Sequence, residues 1–181
     1  MKDDLAVEST GPNGTTEVDE VLTVLATLAE AGCRTWVAGG WGVDALVGRQ
    51  TRAHRDLDLA LDATGLDAAL ARLAALGYLA QTDWLPVRLE LHRPGHGWVD
   101  VHPVVFDATG AGIQAGLEGT AFHYPSACFR DGRIGGTAVG CLSAEQQRAF
   151  HQGYELRAVD HHDLALLAGL SPTDTATPRT P

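Results

Sequence analysis

Positive charge is scarce in this chain: 13 Lys and Arg stand against 23 Asp and Glu, for a formal net charge of −10. A nucleic-acid surface gains affinity when clustered Lys and Arg displace counterions from phosphates, so this balance speaks against DNA or RNA as a partner. It suits a protein that gathers divalent cations or a cationic substrate, and equally one that is acidic for solubility alone. Cysteine is scarce too. Cys33, Cys128 and Cys141 are odd in number, widely spaced and form no CxxC, so neither a disulfide framework nor a zinc site is expected. No run of roughly 18 apolar residues occurs, which excludes a membrane-spanning helix. The polar opening MKDDLAVESTGPNG lacks the charged start and apolar stretch of a signal peptide. A cytoplasmic protein with reduced thiols and no membrane partner is the expectation, and neither repeats nor low-complexity blocks complicate it.

What is present is enough apolar material, 45% of 181 residues, for one substantial core and a small second lobe. Val18, Val21, Leu22, Leu25, Leu28 and Ala29 keep helical spacing over Glu17 to Ala31, with Thr16 and Asp19 as a capping box and Gly32 as the stop. Thr35 to Ala38 reads as a buried strand running into Gly39 and Gly40, then a short helix from Trp41 to Val47 ended by Gly48. Asp56 to Leu61 alternates strictly, which places Asp56 and Asp58 on one face and Leu57, Leu59 and Leu61 on the other. A second amphipathic helix covers Leu66 to Leu76. Two further alternating strands, Val87 to His92 and Trp98 to Val104, project Arg88, Glu90 and His92, and Trp98, Asp100 and His102. Asp131-Gly132 signals a hairpin within Phe129 to Leu142. Capping boxes at Ser143 with Gln146 and at Asp160 with Asp163 open two last helices. The order predicts an α/β (α+β) fold, a mixed β-sheet with helices packed on one face plus a small C-terminal helical appendage. The expected division is a disordered segment at 1–15, a core at 16–115, a hairpin and helices at 116–170, and a disordered tail at 171–181.

Two carboxylates one residue apart on a strand repel each other by roughly a kcal/mol or more at close range, so something positive should sit between them. A magnesium ion meets that need, taking oxygen ligands and completing its shell with substrate phosphates, and two such ions can clamp a phosphoryl displacement. The glycines then acquire a role, because a strand-to-helix turn without side chains lets backbone N–H groups approach a phosphate. Arg52, His54 and Arg55 stand just ahead of the pair and could neutralise the remaining triphosphate charge. Against each reading stands a plainer one. A double glycine is often only a tight turn, Asp44 in the helix after it could orient the loop or equally be an exposed helical acid, and His92, His96 and His102 could contact substrate or phosphate but are better read as surface histidines than as ligands. Trp41, Trp84 and Trp98 read as core or rim packing in preference to stacking platforms, and the run from Asp160 to Asp163 as a capped helix start in preference to a metal site, its role staying open.

Order and spacing raise the combined signal: strand, GG, short helix, basic residues, DxD on a strand, then a third acid at Asp100. The arrangement resembles the nucleotidyltransferase superfamily. WVAGGWGVDALVGRQTRAHRDLDLAL, GYLAQTDWLPVRLELHRPGHGWVDVHPV and CLSAEQQRAFHQGYELRAVDHHDLALL resemble, more narrowly, the small lincosamide nucleotidyltransferases, relatives of the aminoglycoside 2''-nucleotidyltransferases. The likeness runs from Thr35 to Leu167 and is weakest between Phe106 and Val139. It implies magnesium-dependent transfer of a nucleoside monophosphate, usually AMP from ATP, to a hydroxyl of an antibiotic, with pyrophosphate released. It implies Gly39 and Gly40 at the phosphate turn, Asp56 and Asp58 as the metal pair, and Asp100 as a third acid that touches metal and accepts the hydroxyl proton. Glu90, on a neighbouring strand, is the second candidate for that base. An aminoglycoside, another small molecule, a protein or a tRNA are the alternative acceptors, and a binding module without catalysis is the alternative class. So short a chain has little second domain to close over a substrate, which favours a homodimer with shared clefts.

Overall fold

A computed structural model describes residues 14–170. The expectations for residues 1–13 and 171–181 lie outside them. The chain forms α1 (Val18–Glu30), β1 (Thr35–Ala38), α2 (Gly39–Val47), β2 (Asp56–Asp62), α3 (Leu66–Ala75), β3 (Leu79–Trp84), β4 (Arg88–Arg93) and β5 (Gly97–Phe106). It continues through β6 (Gly112–Ala115), β7 (Ala121–Tyr124), β8 (Phe129–Ile134), β9 (Thr137–Leu142), α4 (Ala144–Phe150) and α5 (Ala158–Gly169). The strands build one mixed sheet in the order β3-β4-β5-β2-β1-β9-β8, with β6 paired to the far end of β5 and β7 to β6.

Burial explains the layering. Val21, Val24 and Leu28 of α1 and Ala69 and Leu73 of α3 pack on Leu57, Leu59 and Leu61 of β2 and on Val99 and Val101 of β5, the face that strand alternation assigns to the core. The opposite face of β1, β2 and β5 carries Trp36, Ala38, Ala60 and Val104 under Tyr124, Phe129 and Leu142. α4 and α5 pack on α2 through Ala144, Leu167 and Val43.

Four local expectations differ from the structure. Thr16 does not cap α1, which lacks any side-chain cap bond. Its buried hydroxyl donates to the Arg55 carbonyl at 3.0 Å and accepts from the Trp98 N–H at 3.2 Å, tying the entry segment to β2 and β5. The double glycine does not precede α2 but forms its first turn. The hairpin turns at Gly135-Gly136, both with positive φ as a two-residue loop of this kind requires. Asp131-Gly132 lies within β8, where a Cβ on Gly132 would strike the Ala45 carbonyl of α2. Last, α5 starts at Ala158, with Asp160 in its first turn accepting from the Arg157 N–H at 2.8 Å. β9 pairs in parallel with β1, so the hairpin extends the central sheet.

Candidate active site

Register aligns the acids. Asp58 of β2 stands opposite Ala38 of β1 on one side and Asp100 of β5 on the other, and Asp100 stands opposite Glu90 of β4. Directly opposed residues in a sheet point the same way with Cβ atoms about 5 Å apart. Two residues along β2, Asp56 pairs with Trp98. Asp56 and Asp58 open on a cleft of about 490 Å³ whose polar side also includes Gly39, Gly40, Arg52 and His102, whereas Asp100 and Glu90 are not part of its lining. Its other wall is apolar, made by Trp84, Val87, Leu117, Phe122, Phe150 and Tyr154. Trp84, Leu117, Phe122 and Tyr154 are also exposed to solvent, an unfavourable arrangement for rings and branched chains unless something apolar binds there.

Burial and like charge raise the carboxyl pKa values of Asp100 and Asp56. Asp100 is pushed up to about 6, burial being the largest cause and the Asp58 charge adding to it against His102 and Arg88. Asp56 is raised as well, again by burial first and by Asp58 second. The Arg88 guanidinium, lying 4.8 Å over the Trp84 ring, donates to Asp100 Oδ2 at 2.7 Å. Asp100 Oδ1 is buried with no hydrogen-bond partner among the described residues. One ligand atom each from Asp58, Asp100 and His102 falls within 4.8 Å of the others. His102 is therefore not a surface histidine: its side chain is 20% exposed and stands beside two carboxylates.

The other sequence candidates divide. Gly39 and Gly40 both line the cleft. Gly39 has φ +57, and a Cβ there would run into the Asp58 carboxylate. A Cβ on Gly40 would run into Arg52 and His54, so both glycines allow the first turn of α2 to lie directly on the acids and bases around it. Arg52 lines the cleft while its guanidinium forks onto Asp163 of α5 at 2.7 and 3.0 Å. His54 is only 2% exposed and does not line the cleft; its Nε2 lies 2.5 Å from Asp44 Oδ2 and its ring against Trp41, beneath Gly40. Arg55 also lies away from the cleft lining, over the Trp98 ring and 3.1 Å from both Asp56 and Glu90. Glu90 has both oxygens engaged, one by Arg55 and the other by Thr82 at 3.0 Å.

Sequence reasoning left Asp44 and Asp163 between structural and functional readings, gave Arg88 a strand face but no role, and passed over Gln114 and Tyr124. Asp44 is no exposed acid but is 2% exposed, accepting from Thr51 at 2.5 Å as well as facing His54. Alternation along β5 did hold the signal for His102, two residues from Asp100 on the same face. Nothing in the sequence marks Gln114 or Tyr124, which sit on strands of four residues.

A strand, a glycine-started helix and in-register carboxylates on adjacent strands define a nucleotidyltransferase. The chain belongs to the aminoglycoside-2''-adenylyltransferase family, whose model matches residues 20–167. It is 35% identical over 136 residues to a lincosamide resistance protein of Staphylococcus haemolyticus, covering 75% of this chain and 84% of that one. Among solved structures, the lincosamide antibiotic adenylyltransferase LnuA with lincomycin bound superposes with TM-score 0.80 at 32% identity, over 87% of this chain and all of that one. The aminoglycoside enzyme ANT(2")-Ia in complex with adenylyl-2"-tobramycin shares the fold, with TM-score 0.66 at 23% identity over 83% of this chain and 87% of that one. No helix among the described residues is long and apolar enough to cross a membrane.

Proposed function

We propose that the protein transfers AMP from ATP to a hydroxyl of a lincosamide antibiotic, releasing pyrophosphate and so inactivating the drug. One observation carries the reading: Asp56 and Asp58, with the buried and unpartnered Asp100 oxygen next in register, face an exposed apolar wall across one cleft. Similarity to the lincosamide resistance protein and to lincomycin-bound LnuA supports the acceptor.

A divalent cation fits the residues present. Asp58 and Asp100 converge, Asp56 lies beside them on the cleft, and the buried Asp100 Oδ1 lacks a partner. Hard oxygen donors of this kind suit magnesium, so Asp56, Asp58 and Asp100 are the residues assigned to hold it. When bound, the ion would supply Lewis-acid neutralisation of triphosphate charge. The protein's own groups do the rest. The first-turn N–H groups of α2, at Gly39 and Gly40, have no helical acceptors and receive phosphate oxygens. Arg52, steadied by Asp163, adds a fixed positive charge at the same end. His54 and Arg55 act one step removed, His54 by supporting the glycine turn and Arg55 by balancing Asp56 and Glu90. The acceptor hydroxyl loses its proton to Asp100 as its oxygen bonds to the α-phosphorus and the bond to pyrophosphate breaks. Asp100 is preferred to Glu90 as base because its Oδ1 has no partner whereas both of Glu90's oxygens are engaged.

Two matched copies are the assembly we favour, since Val105 and Ile113 are paired in register and both exposed; sedimentation at increasing protein concentration tests it. The acceptor is tested by incubating the protein with ATP and Mg²⁺ alongside a panel of lincosamides and aminoglycosides and weighing the products. An AMP-sized mass gain on lincosamides alone is expected. A gain on aminoglycosides alone would move the reading to that branch of the family, and no gain on either drug class would overturn it.

A further inference from the structure

We propose that His102 is a positioning residue fixed in its Nε2–H tautomer, donating to Asp58 beside Asp100 instead of ligating a metal ion with them. This deepens the reading above and rests on its assignment of Asp58 and Asp100 to the metal. Geometry alone invites the opposite conclusion, since the three residues bring ligand atoms within 4.8 Å of one another. An imidazole ligates through a nitrogen lone pair, however, and which nitrogen has one is set by the partner of the other.

Here that partner is Gln114. Its Nε2 lies 3.1 Å from His102 Nδ1 and 3.2 Å from the Val87 carbonyl oxygen, while its Oε1 accepts from the Tyr124 hydroxyl at 2.6 Å. A backbone carbonyl can only accept, so the amide must turn its NH₂ toward Val87. Turning it over would oppose two oxygens at a buried site, where Gln114 is 6% and Tyr124 2% exposed. With NH₂ thus directed, Gln114 is a donor at Nδ1, and Nδ1 holds the lone pair. Burial favours the neutral ring, while Asp58 and Asp100 favour the charged one and shift its pKa upward. A second proton on Nδ1 would face the Gln114 NH₂, however, so the imidazole proton is on Nε2, 3.5 Å from Asp58 Oδ1 and 3.8 Å from Asp100 Oδ2. A nitrogen carrying a proton has no lone pair for a metal, nor for the acceptor's proton. What it offers is an N–H between two carboxylates, easing their repulsion and fixing their orientation.

Two consequences follow. The ligand set is all oxygen, which excludes the imidazole-seeking metals that a His-Asp-Asp trio would otherwise favour. Gln114 and Tyr124 stand on β6 and β7, the hairpin that also carries Phe122 of the apolar wall, so the acceptor side of the cleft sets the tautomer on the metal side.

Long-range ¹H–¹⁵N correlation of the labelled protein, with His102→Gln to assign the ring, reads the proton directly. Metal-free protein should show Nε2–H alone, and the same pattern should persist with Mg²⁺ and ATP. A proton on Nδ1, protons on both nitrogens, or loss of the Nε2 proton when Mg²⁺ is added would overturn the proposal. Should Mg²⁺ and ATP leave the Asp58 backbone amide unmoved, the metal assignment fails while the metal-free spectrum still decides the tautomer. A second arm uses Gln114→Glu, which makes the partner at Nδ1 an acceptor and moves the lone pair to Nε2. The ratio of Zn²⁺ to Mg²⁺ affinity should then rise about tenfold or more, a ratio that added charge alone would change little. An unchanged ratio in folded Gln114→Glu contradicts the tautomer argument.

Discussion

Asp56 and Asp100, on the sheet, have carboxyl pKa values raised above the ordinary range, whereas Asp44 and Asp160, on the helices around the same cleft, have theirs lowered. Depth does not separate them, since Asp44, Asp100 and Asp160 are all nearly inaccessible. Partners do. Burial by itself raises Asp44, but hydrogen bonds from His54 and Thr51 outweigh it. The Arg157 guanidinium holds Asp160 down to about 2. Asp100 has one oxygen on Arg88 and the other on nothing, with a like charge in register beside it. Asp44 and Asp160 are satisfied within the fold, whereas Asp100 keeps an unpartnered oxygen beside a like charge, which suits the cation we propose there.

Neutralising one acid from each set should break activity in one case and stability in the other. The largest effect is expected for Asp58→Asn: turnover at saturating Mg²⁺ should fall by about a thousandfold, the several kcal/mol that a lost metal position removes from the transition state. Its thermal midpoint should hold or rise, because a charge that raises Asp56 and Asp100 has gone. Near-wild-type turnover would remove the metal assignment. Asp44→Asn should do the reverse, lowering unfolding free energy by about 2 kcal/mol as a buried charged acceptor of two bonds is lost. Urea denaturation checks it. An unchanged midpoint would mean that Asp44 is not structural and the contrast between the two sets is wrong.

Much of the sheet set was legible and almost none of the helix set. Asp-Leu-Asp-Leu-Ala-Leu alternates with period two, and only a strand with one buried face keeps that pattern, so β2 and the direction of Asp56 and Asp58 could be read locally. The same holds for Glu90 and Asp100. β3 escaped because it is an edge strand exposed on both faces, which leaves no alternation, and β6 and β7 because four residues hold too little periodicity. Asp44 and Asp163 look like ordinary helical acids. Their partners, His54 at ten residues' distance and Arg52 at 111, are contacts made by the packing of α2 and α5, and no local rule reports those. Thr16 misled for a related reason: a good capping residue was used by the fold to bridge β2 and β5.

The smallest effect should appear in acid. Asp160 titrates near 3.9 in the unfolded chain and at about 2 in the folded one. A depressed folded value means that the ionised carboxylate stabilises the native state, fully above the unfolded value and progressively less as pH falls toward the folded one. The difference in unfolding free energy between wild type and Asp160→Asn should therefore be constant from neutral pH down to about 4 and shrink from there toward pH 2. Arg157 is 74% exposed, so water screens the pair and its worth should be about 1 kcal/mol or less. Urea midpoints at three pH values, in low and high salt, measure this. The sheet acids would behave oppositely: with folded values above the unfolded ones, their ionisation opposes folding as pH rises through the carboxylate range. An Asp160→Asn difference that grows in acid, or that ignores salt, would place Asp160 with them and dissolve the division between paired and unpaired acids.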